Sequence, residues 1–278
     1  MRATNIKVRG GALEAAWWGP GPAEAPTLVL LHEGLGSVAL WRDAPERLAA
    51  STGWGVFAYS RFGYGNSDST ELPRPLTYMQ YEARVVLPEV LRAARIERAV
   101  LVGHSDGGSI AAIYAGSWAG PEDDGVAGGK RIIDTPLSIL GLVTIAAHFV
   151  VEDLNIASIR QIRAEYETGT LRGRLARYHR DVDVAFLGWN DAWLDPRFQD
   201  FDITGLLPHI QVPVLGLQGA ADPYGTALQI DILNANVRAP VTTQVIAGAQ
   251  HSPHLEAKDV TLAAITSFIA TLPRDFPM

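Results

Sequence analysis

Residues 101–115 read LVGHSDGGSIAAIYA, and this stretch decides the fold. An apolar run gives way to Gly103, Ser105 and Gly107 in a Gly-x-Ser-x-Gly frame, after which apolar residues recur at helical spacing. A serine on a sharp strand-to-helix turn projects its hydroxyl clear of the sheet. Flanking glycines leave room for strained backbone and for a close-packed helix. The competing reading is a glycine-rich connection with an incidental serine, and the strand and helix on either side weigh against it.

Working outward, apolar runs recur as TLVLLH (27–32), GVFAYS (55–60), AVLVGH (99–104), LGLVTIA (140–146), VPVLGLQG (212–219) and TTQVIAG (242–248). Near-continuous apolar strands belong in a sheet covered on both faces. Between them WRDAPERLAAS, TYMQYEARVVLPEVLRAARI and GGSIAAIYAGSWA carry three-to-four-residue apolar spacing. Strand and helix therefore alternate, which predicts an α/β protein with a mostly parallel sheet and helices on both faces. Pro88 is expected to kink or split the second helix. Two short runs around Arg9–Gly11 predict an antiparallel hairpin at the sheet edge. GPEDDGVAGGKRIIDTP (120–136) reads as a surface loop without a function. Residues 148–206 break the alternation with helical patterns only. They predict a helical cap inserted into a core formed by 1–147 and 207–278.

The chain has 278 residues, enough for a sizeable core, and 47% hydrophobic with 19% charged residues is the balance of a folded protein. A formal charge of −7 with no long Lys/Arg run argues against nucleic acid as a partner. The absence of Cys excludes disulfides, thiolate nucleophiles and Cys-ligated zinc. No apolar signal core opens the sequence, and LGLVTIAAHFVV (140–151) is too short to span a bilayer. A cytoplasmic protein with no membrane partner is expected; a homodimer is left open.

The 101–115 stretch resembles the nucleophile elbow of the α/β-hydrolase family, serine esterases and their relatives, and the resemblance extends over nearly all of the chain. It implies Ser105 as nucleophile, followed in chain order by an acid and a histidine. VPVLGLQGAADPYGT (212–226) resembles the family's acid loop and offers Asp222, which taken alone reads equally well as a solvated turn or helix cap. Glu152 and Asp153 are the rival acids. In VIAGAQHSPHLEAKDV (245–260) the family pattern assigns the base to His251 and leaves His254 a structural role. Neutral imidazole, with a pKa near 6.5, takes the hydroxyl proton and returns it to the leaving group, while the acid fixes its tautomer.

The resemblance also implies oxyanion donors on the backbone: the N–H of Asp106, and one in LVLLHEGLGS (28–37), where Gly34 is preferred to Leu35. Glu33 departs from the family pattern by placing a carboxylate in this loop. Either it points away and steadies the loop, or it faces the pocket with a pKa raised by burial and Asp106. YSRFGYGNSD (59–68) resembles another family segment, with Ser60 in place of an aspartate, and assigns Arg61 an architectural role in which Asp68 or Ser60 serves as acceptor. Trp41, Phe149, Phe186, Trp189, Trp193 and Phe198 are candidates for an apolar pocket, although for each one ordinary packing is an equal reading. The cap arginines read as a solvated face.

These readings together describe a serine hydrolase of carboxylesterase type. It would act through an acyl-enzyme on a small to medium, largely apolar ester, with amide, carbamate and lactone close behind, and would need no metal or organic cofactor. The alternatives are carbon–carbon bond hydrolysis on the same fold, or a ligand-binding protein that has lost turnover.

Overall fold

The computed structural model describes residues 1–117 and 138–272. The sequence segment 120–136, read as a surface loop, lies outside them. Strands β1 (Arg2–Val8) and β2 (Gly11–Trp18) form the expected antiparallel hairpin. They are followed by β3 (Thr27–Leu31), helix α1 (Ala44–Thr52) and β4 (Gly55–Tyr59). The second predicted helix is split: α2 (Tyr78–Tyr81) runs through a π-helical turn, Glu82–Val86, into α3 (Leu87–Ala93). Pro88 explains the split, since proline lacks an N–H and its ring crowds the carbonyl four residues earlier. Then come β5 (Arg98–His104), α4 (Asp106–Ser117) and β6 (Ser138–Ile145).

The all-helical stretch follows, as α5 (Asp153–Thr168), α6 (Leu171–Leu175) and α7 (Val182–Leu194) with two 3-10 turns, Pro196–Asp200 and Thr204–His209. The sheet resumes with β7 (Val214–Gly219), α8 (Leu228–Asn236) and β8 (Val241–Ile246), and the described chain closes with α9 (Pro253–Glu256) and α10 (Lys258–Ala270).

Among the described residues one eight-stranded sheet runs β1-β2-β4-β3-β5-β6-β7-β8, antiparallel across β1, β2 and β4 and parallel thereafter. Alternate residues of its central strands feed two cores. Val29, Leu31, Phe57, Tyr59 and Leu101 face α3, α4 and the α5–α7 helices. Leu28, Leu30, Val56, Val100 and Val102 face α1 and α10. Burying each such side chain contributes about 1.5–3 kcal/mol before chain entropy is counted. Strand β8 departs from the two-sided expectation, because five of its six residues are exposed or half-exposed and it ends the sheet. The sheet's parallel strands point their carboxyl ends at one edge, under α5–α7. No helix among the described residues is long and apolar enough to cross a membrane.

Candidate active site

Ser105 sits between the end of β5 and the start of α4 with φ = 53°, in the left-handed region that side chains with a β-carbon seldom occupy. The strain is held from several sides. The Ser105 N–H donates to the Ile145 carbonyl at 2.8 Å, and the Ser105 carbonyl accepts from the N–H of Gly108 at 2.8 Å. A β-carbon at Gly107 would overlap the Leu31 carbonyl, and one at Gly103 would overlap the Gly107 carbonyl. Helix α4 is therefore packed so tightly on the sheet that the frame admits only glycine at these two places.

Asp222 lies in the turn after β7 and His251 in the loop after β8. The His251 Nδ1–H faces both carboxylate oxygens of Asp222 at 2.9 Å. The remaining acceptor capacity of Asp222 is used by the Tyr224 N–H at 2.8 Å and by Gln218 Nε2 at 2.7 Å. Burial works against its charge, but the hydrogen bond from His251 and the charge of that ring outweigh it and hold the carboxyl below the ordinary aspartate range. The rival acids are engaged elsewhere or exposed. Glu152 caps α5 and accepts from Thr226 and Gln229, while Asp153 is exposed at the start of α5. His254 packs against Trp41, with ring centroids 5.0 Å apart, and burial pushes its imidazole down to about 3.

Ser105 and His251 open on the same cavity of about 100 Å³, whose walls also include Glu33, Gly34, Leu35, Asp106, Trp189 and Trp193. Among the described residues no hydrogen bond joins the Ser105 hydroxyl to the His251 ring; such contacts commonly tighten only when substrate is bound. Four wall residues escaped the sequence reading: His148, Asn155, Ile159 and Tyr224. His148 and Asn155 are polar and follow β6, so a search of that strand's carboxyl end for polar residues would have found them. Tyr224 stacks at 4.6 Å from the His251 ring.

Four expected pocket residues, Trp41, Phe149, Phe186 and Phe198, lie outside these walls. Trp41 is buried against His254 and His104, Phe149 lies in the core with its N–H donating to Gln229, and Phe186 stacks on Tyr166 at 3.6 Å. Aromatic content identified an apolar region; it carried no information on which rings turn inward. Phe198 likewise packs between Trp193 and Phe201.

The loop after β3, residues 32–36, is held by buried side chains from other segments of the chain. Arg61 is buried and donates to the His32 carbonyl at 2.5 Å and the Glu33 carbonyl at 3.0 Å, with Asp106 4.0 Å away. Ser60 and Asp68, expected as its acceptors, are occupied by Glu14 and by the Ala12 N–H. In the trans peptide unit joining residues 33 and 34, the N–H lies opposite the carbonyl. With the Glu33 carbonyl turned toward Arg61, the Gly34 N–H points the other way. Asp106, expected as the other backbone donor, begins α4, where N–H groups have no partner within the helix and the helix dipole favours negative charge. The Asp106 side chain accepts from Tyr78 Oη at 2.6 Å and Trp193 Nε1 at 3.2 Å; burial raises its pKa, and Arg61 opposes that rise.

Two more histidines brace this loop. His32 Nδ1 donates to the Glu33 carbonyl at 2.7 Å while Nε2 accepts the Arg61 N–H at 3.0 Å. His179 Nε2 donates to the Leu35 carbonyl at 3.0 Å while Nδ1 accepts the Gly65 N–H at 3.0 Å. Burial lowers the pKa of both rings. From α7, the Trp189 indole presses on Gly34, where a β-carbon would overlap its Nε1.

Glu33 lines the cavity and its side chain is 27% exposed, with Oε2 3.4 Å from His104 Nδ1. Burial opposes its charge, but the hydrogen bonding and charge of His104, with His32 behind, prevail. The carboxyl is held well below the ordinary glutamate range. The raised pKa envisaged for a pocket-facing Glu33 is therefore corrected: it is a carboxylate. No cluster of metal-binding side chains occurs among the described residues.

A sheet of this order, with a strained serine elbow after its fifth strand and an acid–histidine pair after the last two, defines an α/β-hydrolase architecture. The chain belongs to the alpha/beta hydrolase family, whose sequence model matches residues 28–264. Comparison with curated proteins returned no match. Among solved structures it is similar to carboxylesterase CesB from Bacillus subtilis, at 20% identity and a TM-score of 0.66 over 96% of this chain and 91% of that one. It is also similar to 2-hydroxy-6-oxo-6-phenylhexa-2,4-dienoate hydrolase from Rhodococcus sp. strain RHA1, at 16% identity and a TM-score of 0.72 over 97% and 98%. Proline iminopeptidase from Mycobacterium smegmatis gives 19% identity and a TM-score of 0.65 over 96% and 97%. At these identities the likeness is one of fold.

Proposed function

We propose that the protein is a serine hydrolase that cleaves a small, largely uncharged ester through an acyl-enzyme intermediate. The supporting observation is that a hydroxyl on a strained elbow and a histidine paired to a buried carboxylate open on one cavity. Ser105 Oγ attacks the carbonyl carbon as His251 takes its proton. Asp222 holds the Nδ1–H tautomer and stabilises the imidazolium. The carbonyl oxygen becomes an oxyanion against the N–H groups of Gly34 and Asp106. His251 then protonates the leaving alkoxide, and water repeats the sequence on the acyl-enzyme.

The cavity walls include apolar Ile159, Trp189 and Trp193 and, among the described residues, contain no Lys or Arg, which favours neutral acyl groups over acidic ones. That weighs against the acidic product of ring cleavage as a substrate for carbon–carbon bond hydrolysis. The residues 148–206 serve in this reading as the cap over the sheet's carboxyl edge.

The test is turnover of a panel of esters, amides, carbamates and lactones by the native protein and by Ser105→Ala, His251→Ala and His254→Ala, alongside labelling by a fluorophosphonate. Ester turnover and labelling lost in Ser105→Ala, with turnover lost in His251→Ala and retained in His254→Ala, is the expected result. No labelling of the native protein would leave the ligand-binding alternative. Loss in His254→Ala with retention in His251→Ala would move the base.

A further inference from the structure

His104, next to Ser105, is 1% exposed and contributes nothing to the steps above, yet it lies between the candidate base and the anomalous carboxylate of the oxyanion loop. Its Nε2 is 2.7 Å from the His251 carbonyl oxygen, and its Nδ1 is 3.4 Å from Glu33 Oε2. A carbonyl oxygen only accepts, so Nε2 must carry a proton. An ionised carboxylate also only accepts. Nδ1 makes no hydrogen bond, and in a neutral ring it would hold an unpaired lone pair 3.4 Å from that carboxylate. His32 and His179 each meet one donor and one acceptor, which a neutral ring satisfies; His104 meets one hydrogen-bond acceptor and, at ion-pair distance on its other nitrogen, a carboxylate.

We propose that Glu33 and His104 form a proton-holding pair, with His104 protonated on both nitrogens between the Glu33 carboxylate and the His251 carbonyl, and that this pair positions the catalytic base from its main-chain side. This rests on reading His251 as the base. The other titratable groups around the pair are His251 and His254, whose rings lie 5.1 and 4.7 Å from that of His104, and His148, His32 and His179 farther out. Burial pushes His254 and His148 down to about 3, so neither competes for the proton at neutral pH. The carboxyl of Glu33, held well below its ordinary range, is the matching half of the pair. Asp222 orients the imidazole through Nδ1; the pair fixes the backbone that carries it.

Loss of the Nδ1 proton to solvent at alkaline pH would turn attraction into lone-pair repulsion and release the His251 carbonyl. In Glu33→Gln the amide N–H supplies the missing donor, so a neutral ring is satisfied at any pH. Two measurements test this. Nitrogen-15 spectra of histidine-labelled protein, with the His104 signals assigned through His104→Asn, are expected to show both ring nitrogens protonated at neutral pH. In Glu33→Gln, Nδ1 is expected to return to its lone-pair position while Nε2 stays protonated. The kcat–pH profile of the native protein is expected to fall on the alkaline side by about tenfold per pH unit, as loss of one proton dictates, and Glu33→Gln is expected to lose that decline. One unprotonated His104 nitrogen in the native protein at neutral pH, or an alkaline decline unchanged in Glu33→Gln, overturns the proposal. The spectra are read without substrate, so they fail or succeed independently of the His251 turnover test.

Discussion

The loop after β3 has two sides, and they are held by different protonation logic. On the Arg61 side, His32 and His179 each present one N–H to a backbone carbonyl and one lone pair to a backbone N–H. Burial keeps such rings neutral at little cost because every polar atom is paired. On the His251 side, His104 is flanked by a carbonyl and a carboxylate. The difference is that a buried histidine's charge is dictated by its neighbours' donor and acceptor counts as much as by its depth. In the proposed mechanism the Arg61 side aims the Gly34 N–H and the His251 side aims the base.

The most severe way to break the site leaves both sides intact. Ser105→Ala removes the nucleophile without disturbing a hydrogen bond of its side chain to either brace, and turnover is expected to fall by about a millionfold, as in other enzymes of this mechanism. Measured ester hydrolysis with thermal unfolding unchanged to within a degree or so per few tenths of a kcal/mol is the matching observation. Asp222→Asn comes next, at about ten-thousandfold in kcat, because an amide allows the wrong tautomer of His251. The same variant tests a pH effect. Since the folded Asp222 carboxyl is depressed, its pairing adds stability that is complete above the ordinary aspartate pKa of about 3.9 and is lost as pH falls through the depressed value. Denaturant melts across acidic pH are expected to be less steeply pH-dependent in Asp222→Asn.

The Arg61 side is broken more selectively. Gly34→Ala places a β-carbon on Trp189 Nε1, so either the loop or α7 must shift. A kcat loss of about a hundredfold to a thousandfold is expected, the worth of one oxyanion donor. If Gly34 is only a spacer, kcat will stay put and KM alone will rise. Arg61→Met strips the charge from beneath the loop, leaves the buried Asp106 carboxylate without its cation and removes a donor from the His32 and Glu33 carbonyls. Destabilisation of about 3–5 kcal/mol is expected from removing one partner of a buried pair, read as a lowered denaturant midpoint.

The two sides were unequally legible in the sequence. The elbow was visible because its demand for glycine is local and chemical, and the strands were visible because burial on both faces leaves continuous apolar runs. Asp222 and His251 were expected from the resemblance to the family's acid loop and histidine pattern, and the structure pairs them. Arg61's partners were not visible, because they are backbone carbonyls, which carry no sequence signature; Ser60 and Asp68 were named only because they are neighbours in the chain. Trp41, Phe149 and Phe186 were misplaced for a related reason. An aromatic residue advertises burial, and the direction of its ring depends on packing between segments distant in sequence. The role of His104 depends on three loops meeting, after β3, β5 and β8, and the histidine alone reads as a residue of the elbow.

The smallest effect is the most discriminating between the two sides. His179 reaches the loop from the segment between α6 and α7, where it ties the Leu35 carbonyl to the Gly65 N–H through one neutral ring. His179→Ala leaves both backbone groups unpaired, and a loss of about 1–3 kcal/mol is expected, less if water enters the space. For a chain of this length each kcal/mol lowers Tm by about 2–4 °C, well within a calorimeter's reach. Because this ring is satisfied when neutral, its removal should leave the shape of the kcat–pH profile unchanged, in contrast to Glu33→Gln on the other side. A profile that moves in His179→Ala would mean that the two sides share a proton network, and the separation drawn between them would have to be abandoned.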